Sequence, residues 1–130
     1  MSFARAQYRQ ADSFAEDGVK HPHDVILVTL KELTRSLSVL AAAQDQARTL
    51  PGDHFNRALT ALYILQSSLD FEAGGELATD LFQLYEFARF HVLKAWRGED
   101  GARLTEAAQA ISDILQAWQD IGAQVKPPAA

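Results

Sequence analysis

The chain has 130 residues, a formal net charge of −5 and no cysteine. This length suits one domain that buries its own core, and the lack of thiols excludes disulfide frameworks, cysteine metal sites and thiol nucleophiles. The balance of 12 basic against 17 acidic residues argues against a nucleic-acid-binding protein, which usually carries a basic face.

The opening residues, MSFARAQYRQ, lack the apolar run of a signal peptide, and no stretch reaches the length of a membrane span. We therefore expect a cytoplasmic protein that does not insert into a membrane. Residues 1–23 are predicted to form an arm and a linker, with Phe3 and Tyr8 as apolar points of the arm. The pattern leaves open whether the arm forms a short helix, and Pro22 would break a helix in the linker.

Two amphipathic helices are predicted next, over residues 24–48 and 53–72. In both, apolar residues recur at intervals of three and four, which places them on one face of a helix. The doublet Gly74–Gly75 is predicted to end the second helix, because glycine readily adopts the backbone conformation of a helix end. The predicted inward residues are Ile26, Leu30, Leu33, Leu37 and Leu40 in the first helix, and Phe55, Leu59, Leu62, Gln66 and Leu69 in the second.

Two further helices are predicted over residues 76–97 and 101–124, followed by a tail over 125–130. Four helices of similar length with short connections predict an all-α fold, an antiparallel up-down four-helix bundle with an N-terminal arm, forming a single domain over 1–130. The predicted inward residues are Leu77, Leu81, Leu84, Ala88, Val92 and Ala95 in the third helix, and Leu104, Ala108, Ile111, Leu115 and Trp118 in the fourth.

The third helix carries more apolar residues than one inner face requires. Phe82, Leu93 and Trp96, with Tyr85 at the border, fall on one flank of this helix. One interpretation is that the helix is central and packs against both neighbours and the arm. The other is that some of these residues line a groove for another helix or an extended segment. The two interpretations combine if the arm covers a groove that a ligand later occupies.

No constellation in the sequence predicts a catalytic, cofactor-binding or metal site, and we expect the protein not to be an enzyme. His21 and His23 precede a helix without a third ligand nearby in the sequence, so we interpret them as part of a solvated loop. A di-iron site in a bundle needs Glu-x-x-His pairs, whereas Glu86 and His91 are five positions apart.

An alternative function is suggested by the run HVLKA, which begins at His91. This run resembles the H-x-x-K-G/A run of histidine phosphotransfer domains, which are also small four-helix bundles that expose one histidine. The bulky neighbours Phe90 and Trp96 leave less room for a partner than such domains provide. The competing interpretation is that His91 is a buried or half-buried residue bonded to a neighbouring helix.

The junction around Gly74–Gly75 resembles the flagellar secretion chaperones of the FliS type. Leu69–Asp70 and the run GGEL at 74–77 match that family's Leu-Asp and Gly-Gly-Glu-Leu elements. The stretch VTLKE at 28–32 departs from the family, which often has Met-Leu-Tyr-Asp-Gly there. Further similar elements are AQYRQ at 6–10, HPHDV at 21–25, the leucines and tyrosine at Leu81, Leu84 and Tyr85, and Ala117–Trp118.

The resemblance implies a non-enzymatic chaperone that binds the disordered C-terminal segment of flagellin and prevents it from polymerising before export. It further implies an export-gate component or an anti-sigma factor as additional partners, while exposed apolar helices and an arm permit a homodimer. The resemblance singles out Tyr8 as a contact residue. The remaining expected partner-binding residues are Phe3, Phe82, Tyr85, Leu93 and Trp96.

Overall fold

A computed structural model describes residues 22–125 of the chain, with side chains described for residues 22–122. This part of the chain forms four helices and no β-strand, so the predicted all-α bundle is confirmed. None of these four helices combines the length and the apolar character needed to cross a membrane. The predicted arm over 1–21 lies outside the described residues. The helices are α1 (Pro22–Asp45), α2 (Gly52–Ser67), α3 (Phe71–Trp96) and α4 (Leu104–Val125).

Helices that are neighbours in the bundle run antiparallel, as side-chain contacts between their opposite ends show. Phe55 near the start of α2 stacks on Trp96 at the end of α3, with ring centroids 4.1 Å apart. His23 at the start of α1 stacks on Trp118 near the end of α4 at 4.7 Å. α1 packs most extensively against α4 and α2, and α3 closes the ring by packing against the same two helices.

The core is built around α1, whose inward leucines follow the predicted spacing. Leu30, Leu33 and Leu37 are fully buried, and Ser36 beside them is buried as well. The hydroxyl of Ser36 lies 3.2 Å from Nδ1 of His54, so a hydrogen bond to α2 satisfies this polar group. The other helices contribute a mixture of large and small buried residues, including Ala58, Leu62, Leu65, Ala88, Val92, Leu104, Ala107 and Ile111.

α1 begins earlier than predicted, because Pro22 and His23 belong to its first turn rather than to a linker. Proline is favoured at the first helical position, where the N–H that it lacks would have no helical partner. The indole N–H of Trp118 donates to the His23 carbonyl oxygen at 2.9 Å. A Cβ atom at Gly122 would collide with the His23 imidazole, so the small residue lets this turn lie against α4.

The boundary between α2 and α3 is the largest departure from the sequence prediction. α2 ends at Ser67, and α3 begins at Phe71, with Gly74–Gly75 inside it rather than between the two helices. The Asp70 carboxylate accepts hydrogen bonds at 3.0 Å from the backbone N–H groups of Glu72 and Ala73, which caps α3 before the glycines are reached. The non-helical backbone of Gly75 then separates this short helical turn over 71–74 from the longer helical part that follows, so the predicted interruption of the helix at the glycine doublet is present.

The bend lies at Gly75, whose φ of 52° and ψ of −127° are not helical. It changes the direction in which the preceding and following residues face. Leu77, predicted to face inward, is 65 % exposed, and Ala78 is buried in its place. The prediction for Leu77 was wrong, because the buried stripe at this end of α3 runs through Ala78, Tyr85 and Ala88 instead.

Candidate partner-binding surface on the third helix

The start of α3 carries an exposed apolar group, which we call the kink patch and define as Phe71, Leu77 and Phe82. The rings of Phe71 and Phe82 meet edge to face, with centroids 6.0 Å apart. In a straight helix, residues eleven positions apart are separated by roughly 16 Å along the axis. The bend at Gly75 therefore brings the two rings together and creates the patch.

The kink patch lies in strongly acidic surroundings. Residues 70–82 contain four carboxylates and no lysine or arginine. Acidic residues near a helix N-terminus are favourable because the aligned peptide dipoles place partial positive charge there. The four acidic residues of this segment are Asp70, Glu72, Glu76 and Asp80.

The C-terminal half of α3 carries a second exposed apolar group, formed by Phe90, Leu93 and Trp96. Phe90 is 54 % exposed and Trp96 is 45 % exposed, while Leu93 is partly buried. Phe90 and Leu93 line an open cavity of about 270 Å³, whose lining residues all belong to α3 or directly follow it. Three charged residues complete the lining of this cavity: Glu86, Arg89 and Arg97.

The charged residues of this outer cavity form ion pairs along the helix surface. Arg89 Nε donates to Glu86 at 2.8 Å, and Arg97 Nε donates to Glu99 at 2.6 Å. The hydrogen bond from Arg89 holds the pKa of Glu86 below its ordinary value, against the opposing effect of burial. The ammonium group of Lys94 lies over the Phe90 ring, 5.7 Å from its centroid. This end of α3 therefore combines apolar area with cationic groups.

Trp96 connects the outer surface of α3 to α2. Its indole ring stacks on Phe55 with an interplanar angle of 10°. Gly52 at the start of α2 lies beside the same ring, since a Cβ placed there would lie 3.6 Å from Trp96 Cη2. Phe55 was predicted only as an inward residue, and the structure shows that it also holds the exposed tryptophan in place.

His91 has the environment of a structural residue. It is 7 % exposed, and its Nδ1 accepts a hydrogen bond from the backbone N–H of Arg103 at 3.0 Å. Burial, followed by the charges of Arg103 and Lys94, lowers the pKa of His91 below its ordinary value, while Glu106 acts in the opposite direction. The Phe87 and Phe90 rings pack around the imidazole.

This environment does not suit the phosphotransfer chemistry considered from the sequence. Attack on a phosphoryl group requires an exposed imidazole nitrogen, whereas the His91 ring is buried and packed between Phe87 and Phe90. The alternative assignment to His91 is therefore corrected: the residue joins the end of α3 to the start of α4. Within residues 22–122, histidine and carboxylate side chains form no cluster of three or more that could hold a metal ion.

Comparisons with known proteins bear on which of these features is functional. The profile of the family described as Flagellar protein FliS matches residues 4–125. The chain belongs to the FliS family. A flagellar secretion chaperone FliS of Vibrio cholerae is 26 % identical over 115 residues, covering 88 % of this chain and 85 % of the relative.

Two further FliS relatives have comparable similarity. Flagellar secretion chaperone FliSB of Pseudomonas aeruginosa is 27 % identical over 119 residues, covering 91 % of this chain and 94 % of the relative. Flagellar secretion chaperone FliS of Salmonella typhimurium is 37 % identical over 57 residues, covering 44 % of this chain and 42 % of the relative. No solved structure gives a significant match. Membership of FliS supports a chaperone of flagellar secretion as the broad function of this chain.

A FliS chaperone can contact a partner only through its exposed surface. Three of the partner-binding residues predicted from the sequence lie on that surface. Phe82 is 37 % exposed in the kink patch, Leu93 lines the outer cavity, and Trp96 lies beside Phe55. The structure does not bring Phe82 into the same cavity as Leu93. The two predicted arm residues, Phe3 and Tyr8, lie outside the described residues.

Tyr85 has a different position from the other predicted contacts. It is 3 % exposed and belongs to the core of this FliS fold, where burial raises the pKa of its phenol to about 12. The sequence placed it at the border of the flank, and the packing of α3 turns it inward. Tyr85 is therefore not available at the surface of the described structure.

Sequence reasoning missed three exposed apolar residues of the FliS surface: Phe71, Leu77 and Phe90. Phe71 was assigned to the preceding helix, and Leu77 was assigned to the core. The sequence pattern placed Phe90 on the other side of the third helix from Phe82 and Leu93, whereas Phe90 and Leu93 line the same cavity.

Proposed function

We propose that this chain binds the disordered C-terminal segment of flagellin in the cytoplasm. In this role it prevents premature polymerisation of flagellin and aids delivery to the flagellar export apparatus. Family membership supports the broad role, and the exposed apolar surface of α3 supports this particular client. The observation that carries the proposal is the outward apolar stripe of α3, which no other described helix covers.

The stripe has the spacing that a helical ligand requires. Phe82, Phe90 and Leu93 follow one another at intervals of eight and three residues, which correspond to two turns and one turn of the same helix face. A ligand that folds on binding loses conformational entropy, so it needs apolar contacts over a considerable length. An amphipathic helix lying along α3 would obtain such contacts.

Phe82, Leu93 and Trp96 are the proposed client contacts among the described residues. Phe3 and Tyr8 are proposed contacts from the arm. The resemblance also supports an export-gate component and an anti-sigma factor as proposed partners. The exposed apolar helices and the arm permit a second copy of the chain as a further proposed partner.

The first test is calorimetric titration with the C-terminal segment of flagellin from the same organism. We expect one-to-one binding with a negative heat-capacity change and a gain of helix in circular dichroism. Phe82→Asp should weaken binding by about tenfold or more, since it places a charge in an apolar contact. The matched control is Tyr63→Asp, because Tyr63 is a similarly exposed aromatic residue on α2.

Absence of binding by the natively folded protein at tens of micromolar would contradict the proposed client. Equal losses of affinity in the Phe82 and Tyr63 variants would contradict the assignment of the client to α3. A chain lacking residues 1–10 tests the proposed arm contacts separately. An unchanged dissociation constant at unchanged helicity would exclude a role for Phe3 and Tyr8.

A further inference from the structure

The residues that line the outer cavity of α3 indicate which end of the bound segment the cavity holds. We propose that it binds a chain-terminal carboxylate together with the apolar side chain of the same terminal residue. The proposal rests on the proposed function, because it names the part of the client that the cavity holds. The lining residues are Glu86, Arg89, Phe90, Leu93 and Arg97.

The size of the cavity suits a single residue. Its volume of about 270 Å³ is below the roughly 300–1,000 Å³ of pockets that enclose a whole drug-sized ligand. Phe90 and Leu93 provide the apolar part of the lining, and the cavity is partly open to solvent. One aliphatic side chain can therefore enter while the rest of its chain stays along α3.

Two guanidinium groups provide the binding site for an anion. Arg89 and Arg97 line the same cavity, and each uses Nε for its bond to a neighbouring glutamate. A guanidinium has five N–H donors in a planar fork, so those bonds leave the terminal Nη groups of both arginines unengaged by the glutamates. The Nη groups can form the paired hydrogen bonds that carboxylates accept from arginine.

The region around the cavity differs in charge from the whole chain, which is acidic. Of the eight lysines and arginines among residues 22–125, four lie between positions 89 and 103, together with the two acidic residues Glu99 and Asp100. Glu86 is the one carboxylate among the residues that line the cavity, and Arg89 already pairs with it. Lys94, held over the Phe90 ring, adds a further positive charge at the same end of α3.

The adjacency of apolar and cationic groups selects a terminal carboxylate over other anions. An aspartate or glutamate side chain brings a charge but no apolar group, so it would leave Phe90 and Leu93 exposed to water. A terminal residue with an aliphatic side chain presents both groups from one Cα atom. The cavity therefore matches the C-terminus of an apolar-ended polypeptide.

The test uses the flagellin C-terminal segment synthesised in three forms, with a free carboxylate, with a terminal amide, and with a Gly-Ser extension. The free acid should bind about fivefold more tightly than the other two forms, the scale of a charge pair that solvent partly screens. The Arg89→Gln/Arg97→Gln double variant should bind all three forms equally. Arg35→Gln/Arg57→Gln, which changes two exposed arginines on α1 and α2, should keep the preference.

The outcomes separate this inference from the proposed function. If the three forms bind equally to the unaltered protein, the carboxylate proposal is wrong and the proposed function stands. If the preference persists in the Arg89/Arg97 double variant, the carboxylate is bound elsewhere and the cavity is misassigned. If no form binds, both proposals fail.

Discussion

α1 and α3 lie diagonally across the bundle and use their apolar residues in opposite ways. α1 buries a narrow leucine stripe completely and pairs extensively with two neighbours. α3 has fewer fully buried large residues, and Phe71, Phe90 and Trp96 are about half exposed. The regularly spaced apolar residues therefore form the core, whereas the additional apolar residues of α3 remain on the surface of the protein.

The physical reason for the difference is the cost of exposed apolar surface. Burial contributes roughly 25 cal/mol per Å² of apolar area removed from water, so the regular apolar stripes of the helices are buried in the folded chain. The outward residues of α3 gain this free energy only when a partner covers them. Four experiments test the contrast between the two helices.

The largest effect is expected from truncating matched leucines of the two helices. Leu37→Ala in α1 should lower the free energy of unfolding by about 2–5 kcal/mol, because Leu37 is fully buried and a cavity would remain. Leu77→Ala in the kink patch should change it by less than about 0.5 kcal/mol, because Leu77 is already mostly in water. Urea denaturation of both variants measures these values. Similar losses would show that the outward face of α3 is part of the core.

The second experiment changes the bend that separates the two halves of α3. Gly75→Ala should destabilise the fold by about 1–2 kcal/mol, because an L-residue is strained at φ 52°. Gly52→Ala is the matched control, since Gly52 is helical and its added Cβ would make ordinary contact with Trp96 at 3.6 Å. Thermal unfolding of both variants gives the comparison. A stable Gly75→Ala protein with an intact Phe71–Phe82 contact would contradict the role given to the bend.

The third experiment concerns the pH dependence that His91 contributes at the junction of α3 and α4. Its pKa in the folded chain is below that in the unfolded chain, so the unfolded chain binds more protons when the pH falls below about 6.5. The contribution of His91 to stability is therefore present above about pH 6.5 and is lost as the pH falls towards the lower folded-state pKa. Denaturation of the unaltered protein and of His91→Gln at pH 7.5 and 5.5 measures this difference.

The expected result is that the unaltered protein loses more stability between these two pH values than His91→Gln does. Carboxylates that titrate in the same range are common to both proteins and cancel in the comparison. Equal losses would indicate that His91 titrates as it does in the unfolded chain and that its enclosure is incomplete.

The smallest effect is expected from removing charges at the outer cavity. Arg97→Gln should change the free energy of unfolding by less than about 0.5 kcal/mol, because its pair with Glu99 is half exposed and screened by solvent. Chemical denaturation in parallel with the Leu37 variant checks this value. A loss above about 1 kcal/mol would mean that Arg97 supports the fold, and binding losses in its variants could not then be assigned to the cavity.

The sequence predicted some helices of this fold more accurately than others, and the reasons lie in particular residues. The stripe of α1 was correct because its leucines follow one uninterrupted period, and Leu30, Leu33, Leu37 and Leu40 are all buried. The boundary between the second and third helices was misplaced, because Asp70 caps an additional helical turn over 71–74 that precedes the non-helical Gly75.

The sequence predicted that α3 carries exposed apolar residues, but it did not predict how these residues are grouped on the surface. The surplus of apolar residues in the third helix was visible, and Phe82, Leu93 and Trp96 are at least partly exposed. The grouping of Phe82 with Phe71 in the kink patch, and of Leu93 with charged residues in the outer cavity, was not visible, because it depends on the bend and on how far α3 rotates against its neighbours. The burial of Tyr85 follows from the same rotation.

The sequence by itself determined the all-α class, the four helices within residues 22–125 and the inner stripe of α1, because these depend on local periodicity and on residues that end helices. The resemblance at Leu69–Leu77 also indicated the FliS family from local sequence alone. Tertiary structure alone decided which apolar residues of α3 face water, how Gly75 redirects Phe71 towards Phe82, and which charges meet at the outer cavity. These features arise from contacts between helices, and local sequence does not specify the angle at which one helix packs against another.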